Sequence, residues 1–405
     1  MPVTTASMLK PYDAPFLDVL DPAFDFLSPE AKAAQQESWY ANSPIGLLVL
    51  RYAECQELLR DRRLNHNGKL YMETNGVFEG PAYDWFVPMI VNHDGEDHRR
   101  LRGLVNKAFT PRMVNNLRPF IRANAEEFAE HLASSEESEF VEEFANKLPL
   151  AVMCRMLGVP PEDYETFRTW TTDLGLVFSL SAGNDVRLRV DSAVLGLNDY
   201  VDGLIRIKRD DPADDLISAL VAAQAEDGRV SPEELRNLLV TMVFAAHDTT
   251  RHQLANAMVA FAAHPDQWVL LGERPELTDP AVEEVIRWSP STGTLYRFAG
   301  EDFDYQGLHL EQDTYLTICA ILAQRDPRVY KDGDRFDCTV RRDVGPLQFG
   351  GGPHHCLGAA LARIELSEAL PVLARRLNPP TVIGPLTWRG PFGIRGPEAL
   401  PLSFT

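Results

Sequence analysis

At 405 residues, with 45% hydrophobic content and a net charge of −20, the chain has material for a large core and too much negative charge for a nucleic-acid binder. Its five cysteines, at 55, 154, 319, 338 and 356, are scattered, odd in number and free of CxxC or zinc-type spacing. That excludes a disulfide framework and points to a reducing, cytoplasmic compartment. No apolar run approaches the ~20 residues that a membrane span needs, and the N-terminal stretch carries Lys10, Asp13 and Asp18 among prolines, so a soluble protein is expected. With no linker, repeat or low-complexity segment, residues 1–405 read as a single domain.

Along the chain, residues 44–52 form a short apolar run bounded by turn formers, which predicts a buried strand, and residues 53–60 follow a helical pattern. His98-Arg-Arg-Leu-Arg102 puts a histidine and an arginine on one helical face at i, i+4, leaving Arg99 and Arg100 to face solvent. From about 123 to 227 the apolar spacing is helical, broken at Pro160-Pro161 and Asp211-Pro212. Ser231-Pro-Glu-Glu234 is a capping box with proline in the first turn, and no breaker follows until His264-Pro265. A helix of about 33 residues, ~50 Å long, is expected there.

In the middle of that helix lies Ala245-Ala-His-Asp-Thr-Thr250, an acid and two hydroxyls in an apolar stretch. Taken alone it reads as well as a bland kink, because threonine can bond back to the preceding turn. Arg251 and His252 follow, either paired with acidic neighbours or, for Arg251, reaching a substrate carboxylate. His247 is assigned no role. Glu284-Val-Ile-Arg287 sits on a short helix begun by Pro280 and stopped by Pro290, an i, i+3 pair that is ordinarily worth about 0.2–0.5 kcal/mol. Beyond Pro290 short strands are expected, as in 303–310 and 315–318.

Residues 349–358 read Phe-Gly-Gly-Gly-Pro-His-His-Cys-Leu-Gly, a glycine-rich loop shaped around Cys356 and running into an amphipathic helix from Leu357. A cysteine at a helix start, near free backbone N–H groups, is prepared to be a thiolate. The order F-G-x-G-x-H-x-C-x-G, met at Phe349, Gly350, Gly352, His354, Cys356 and Gly358, resembles the haem-binding signature of the cytochrome P450 family. The segment at 245–250 is similar to that family's A-G-x-(D/E)-T stretch, matched at Ala245, Asp248 and Thr249, with Ala246 adding a methyl group where glycine is usual. The resemblance runs in order from about residue 44 to the C-terminus.

It implies a mainly α fold with minor β, a long central helix over haem b and a proximal cysteine loop. The β-rich part would lie near 44–52 and 295–320, the helical bulk over 90–290 and 356–376. By resemblance Cys356 is the thiolate ligand of the iron, shielded by Phe349, with Gly358 closing the motif. His354, Arg297, His98 and Arg102 would anchor the haem propionates. Thr249 would hold reacting dioxygen and a water while Asp248 relays protons. Glu284 and Arg287 would be completed by Arg335 to hold the loop beneath the haem.

The implied activity is O2- and NAD(P)H-dependent hydroxylation of a small organic molecule, a tailoring step in bacterial secondary metabolism on a free or carrier-protein-bound polyketide, aromatic acid or peptide. Residues 64–86, 174–181, 243–249 and 291–295 would line the pocket, among them Asn75, Tyr83, Trp85, Phe178, Ser179 and Thr294. With no flavin or iron–sulfur segment, electrons must come from a separate ferredoxin and its NAD(P)H-dependent reductase, docked on Arg112, Arg118 and Arg122. Two other classes stay open: a peroxygenase driven by H2O2, in which the acid and alcohol of the central helix are typically lost, and a non-catalytic haem sensor, which needs no proton relay.

Overall fold

The central helix sets the scale of the molecule, and its start follows from four residues. The Glu234 N–H donates to Ser231 Oγ at 3.1 Å and the Ser231 N–H donates to the Glu234 carboxylate at 2.8 Å, and the helix then runs unbroken over Pro232–Ala263. The computed structural model describes residues 13–405, without the side chains of residues 179–182 and 227. Lys10, Ser179 and their part in the expectations above lie outside what is described. The architecture is mainly helical with minor strand, as the patterning predicts. No helix among the described residues is long and apolar enough to cross a membrane.

Contacts within the chain divide it into two compact units, one of residues to 66, 256–357 and 387–397, the other of 67–255, 358–386 and 398–405. The first unit is built on a five-stranded sheet with the order Tyr40–Ser43, Gly46–Val49, Tyr315–Ile318, Leu295–Ala299, Leu64–Asn65. Gly46–Val49 is buried along its whole length because it is covered on both faces, which is why it reads as a continuous apolar run. It pairs in parallel with Tyr315–Ile318, while the other neighbours are antiparallel. The helix Tyr52–Leu58 follows. The first strand, Tyr40–Ser43, was not anticipated, since its polar Asn and Ser give no apolar signal.

The Glu284–Arg287 pair, on the helix Thr278–Trp288, organises the same unit. Two parallel bonds of 2.8 Å join the guanidinium to the carboxylate. Arg287 also donates to the carbonyls of Gln324, Gly333 and Arg335 at 2.9, 2.7 and 3.0 Å. The third charge is Arg342, not Arg335. Arg342 reaches both Glu284 oxygens, at 3.0 and 3.2 Å, whereas the Arg335 side chain is exposed and pairs with Asp337 at 3.1 Å. A turn closed by the Arg335 N–H on Asp332 O precedes it, and Arg335 joins the cluster through its carbonyl rather than its side chain.

The second unit holds most of the helices. The helical pattern expected from 123 to 227 is interrupted by a strand, Glu137–Glu139, paired antiparallel with Pro401–Ser403. A partner from the far end of the chain leaves no local signal. Arg118 and Arg122, on the helix Arg118–Ala133, both bond to the buried Glu368 at 2.7 Å and so clamp that helix to Ala359–Arg376. Arg100 does not face solvent as expected: it grips Glu234 through two bonds of 3.0 and 2.6 Å, tying its helix to the cap of the central one. Also on Ala359–Arg376, Glu365 is buried with its Oε2 lacking a partner, and burial pushes its carboxyl up to about 8.

Two stability measurements follow. Replacing Arg342 by alanine leaves part of a buried carboxylate unpaired and is expected to cost about 2 kcal/mol, while Arg335→Ala stays within about 0.5 kcal/mol. Denaturant titration of both variants checks the assignment, and equal losses would refute it. Glu365 keeps its proton in the folded chain up to about pH 8, while the unfolded chain releases it near its ordinary 4.5. Stability therefore falls as pH rises through that window. Glu365→Gln should raise the melting temperature by several degrees at pH 9 and by much less at pH 5; an equal gain at both would count against a protonated buried acid.

Candidate active site

Within the first unit, the loop before the cysteine takes its shape from two glycines in the left-handed region, Gly350 at φ +68° and Gly352 at φ +61°. Space is also short: a Cβ on Gly351 would meet Leu59 Cβ at 3.2 Å. The Cys356 N–H donates to Phe349 O at 2.8 Å, closing the loop, and the Phe349 ring is buried. The helix starts at Ala359 with Gly358 as its cap, two residues later than the pattern suggested. Cys356 thus spends its own N–H on the loop. Gln324, which sequence reasoning missed, positions the approach: its side-chain oxygen accepts from Leu347 N and Gln348 N at 2.5 and 3.2 Å, and its amide donates to the Arg287 carbonyl at 2.9 Å.

The five thiols differ sharply in environment. Cys55, Cys154, Cys319 and Cys338 are buried, and Cys356 alone is exposed. Burial raises the Cys55 thiol well above its ordinary range, Cys154 to about 12, and Cys319 and Cys338 further still. These four hold their protons at neutral pH.

The same unit gathers basic side chains. Arg297, from the strand Leu295–Ala299, is buried and donates to His66 Nε2 at 2.6 Å, and the rings of His66 and His354 meet edge to face at 4.6 Å. Arg297 and His354 are thereby linked through His66. Sequence reasoning passed over His66, whose only signal was a lone histidine in the run Leu64-Asn-His. Thr294, expected in the pocket, instead accepts the Gly393 N–H at 3.0 Å.

The second unit carries the remaining predicted residues. Thr249 Oγ1 donates back to Ala245 O at 2.9 Å, and its side chain and Ala245 remain accessible on one face of the helix. Asp248 is wholly buried and bonded to Arg251 at 2.8 Å. This is the acidic partner expected of Arg251, whose side chain is 3% exposed. His247 accepts from the Thr171 hydroxyl at 3.1 Å and donates to Asn146 O at 3.3 Å. Burial, and then the Arg251 charge, push its pKa down to about 4, so it packs as a neutral ring. His98 and Arg102 lie four apart on the helix Gly95–Ala108, His98 buried and Arg102 half-buried.

Aromatic rings concentrate beside the accessible stretch of the central helix. Phe244, next to Ala245, lies 5.5 Å from Trp85 and 5.9 Å from Phe178, and Phe178 meets Phe86 and Tyr71 at 6.3 and 6.2 Å. Of the pocket residues expected there, Trp85 and Phe178 join this group. Asn75 instead turns back on Tyr71 O at 2.9 Å.

Haem b would ask for one soft donor to its iron and for cations to balance two carboxylates. One exposed thiol, with Arg297, His66 and His354 in the same unit, fits that demand.

Comparison with known proteins agrees. The family model described as "Cytochrome P450" matches residues 64–268 and 273–378. Luteothin monooxygenase of Streptomyces thioluteus is 46% identical over 393 residues, 97% of this chain and 96% of that protein. The polyketide biosynthesis cytochrome P450 PksS of Bacillus subtilis is 32% identical, with 88% of this chain and 89% of that protein covered. Among solved structures, P450BioI in complex with an acyl carrier protein ligated to hexadec-9Z-enoic acid superposes with a TM-score of 0.81 at 28% identity, over 89% of this chain and 92% of that one. The chain therefore belongs to the cytochrome P450 family and is a monooxygenase whose cofactor is haem b.

Proposed function

We propose that this monooxygenase oxidises an unsaturated or aromatic small molecule in bacterial secondary metabolism, with Cys356 as the iron ligand and Asp248 and Thr249 handling protons. The observation that carries the reading is the exposed Cys356 on a loop closed by its own N–H, in one unit with Arg297 and His354. When bound, haem supplies the activation of dioxygen and the insertion of one oxygen atom into the substrate. Cys356 would provide the thiolate donor, with the buried Phe349 at the start of its loop and Gly358 capping the helix that follows. Arg297 and His354, joined by His66, together with His98 and Arg102, would balance the haem carboxylates.

Thr249 stands on the accessible face with its hydroxyl oxygen still able to accept a hydrogen bond while donating to Ala245. Asp248, one residue earlier, is the acid that takes protons toward it. The aromatic group around Phe178 and Phe244 supports a flat or conjugated substrate, since ring contacts of this kind reward stacking and edge-on approach. Likeness to luteothin monooxygenase and PksS supports a polyketide as that substrate. Delivery on a carrier protein is the second reading, favoured by the likeness to P450BioI, solved with an acyl carrier protein. Electrons come from a ferredoxin and its NAD(P)H-dependent reductase. Arg112 is exposed for docking, while Arg118 and Arg122 are partly occupied by Glu368.

Two experiments test the reading. The dithionite-reduced protein with carbon monoxide is expected to show the strongly red-shifted Soret band of thiolate ligation, and Cys356→Ser to lose it; an unchanged spectrum in the variant would remove Cys356 from the iron. Under ferredoxin-driven turnover, Asp248→Asn and Thr249→Ala should each lower product formed per NAD(P)H by about tenfold, with the deficit appearing as H2O2 or water. Undiminished coupling in both variants, or full-rate turnover of the wild type on H2O2 alone, would favour a peroxygenase.

A further inference from the structure

Around Asp248 the central helix buries an unusual amount of charge. Asp248 and His252 are wholly buried and Arg251 is 3% exposed. A single guanidinium nitrogen, Arg251 Nη2, lies 2.8 Å from Asp248 Oδ1 and 2.8 Å from His252 Nε2. Because a guanidinium only donates, both partners accept from it. The same nitrogen is 4.0 Å from a carboxylate oxygen of Glu398, whose side chain is 41% exposed. Glu398 opens the C-terminal stretch 398–405, which belongs to the same unit as Asp248.

The arrangement is not fully satisfied. Arg251 Nε is buried without a hydrogen-bond partner in the protein, and an unmet buried donor is costly. Two carboxylates compete for this cation, one in full contact and one beyond a hydrogen bond by about 1 Å. A small rotation of the guanidinium toward Glu398 would trade one carboxylate for the other. The trade matters to Asp248 far more than to Glu398. The cost of losing a cation grows with burial, so a wholly buried carboxylate left without one is driven to take up a proton.

We propose that Arg251 is a positioning residue that alternates between Asp248 and Glu398, so that Glu398 governs when Asp248 is released to take and pass on a proton. Asp248 gains a proton of solvent origin as Arg251 turns to Glu398 and gives it up toward Thr249 as Arg251 returns. No group is oxidised or reduced, and the cluster ends each cycle with the charges it began with. The inference rests on the proton-handling role proposed for Asp248.

Glu398→Gln removes the competing charge at a partly exposed position and keeps the shape. It is expected to lower product per NAD(P)H about threefold and to enlarge the solvent deuterium isotope effect on turnover, with substrate affinity by spectral titration unchanged. Glu398→Asp, which keeps the charge, should restore most of the coupling. A second readout needs no turnover. In thermal unfolding, either Glu398→Gln or Asp248→Asn alone leaves Arg251 one carboxylate, so the double variant should lose more in melting temperature than the two single changes together. Strictly additive losses, or an isotope effect unmoved in Glu398→Gln, overturn the sharing of Arg251. Undiminished coupling in Asp248→Asn would instead refute the proton role of Asp248, and the unfolding cycle would still decide whether Arg251 is shared.

Discussion

One buried ion pair, Glu284 with Arg287, underlies the first unit. Neither residue has access to water, and each charge would be prohibitively costly there without the other. Together they present a fixed array of donors and acceptors in a dry setting. Glu284 takes Arg287, Arg342 and the Asp337 N–H, and Arg287 reaches three carbonyls from the segment 324–335. Such a pair adds little net stability compared with well-packed apolar side chains; what it confers is direction. Gln324 passes that direction on, holding the backbone of Leu347 and Gln348 immediately before Phe349. The path of the cysteine loop is thus set by polar contacts at its base as much as by its own glycines.

The second unit uses charge in the same way. Glu368, buried on the helix that follows the cysteine, draws two partly exposed arginines from a neighbouring helix, so its charge is met at the edge of the core. Glu365, three residues earlier on that helix, has no cation and carries a proton instead. The contrast between two glutamates on one helix shows the two ways a carboxyl tolerates burial. In the central helix His247 takes the equivalent course for a base, staying neutral between a hydroxyl and a carbonyl.

Where chemistry was encoded by neighbours in the chain, it was legible in the sequence. The capping box of the central helix, its length, the glycine loop, the Glu284–Arg287 pair and the strands after Pro290 all rest on short-range patterns. Misreadings occurred where partners came from afar. Sequence context pointed to Arg335 and passed over Arg342, because which loop arginine turns inward depends on the tertiary path of residues 332–342. Arg100 looked solvent-facing from its own helix, but Glu234 comes from another. His66 and Gln324 carry no motif at all, and the strand Glu137–Glu139 exists only because Pro401–Ser403 lies beside it. The cysteine helix was begun too early because Leu357 and Gly358 suit a helical pattern, while the chain leaves the loop bond from Cys356 to Phe349 through a turn at these two residues before the helix starts.

The burial of the other thiols carries a consequence for how the chain takes up a metal. Four of the five cysteines are shut inside surroundings that keep them protonated. A sulfur that holds its proton is a poor ligand, so Cys356 has no rival on this fold, and misloading at the other four positions is suppressed by burial alone.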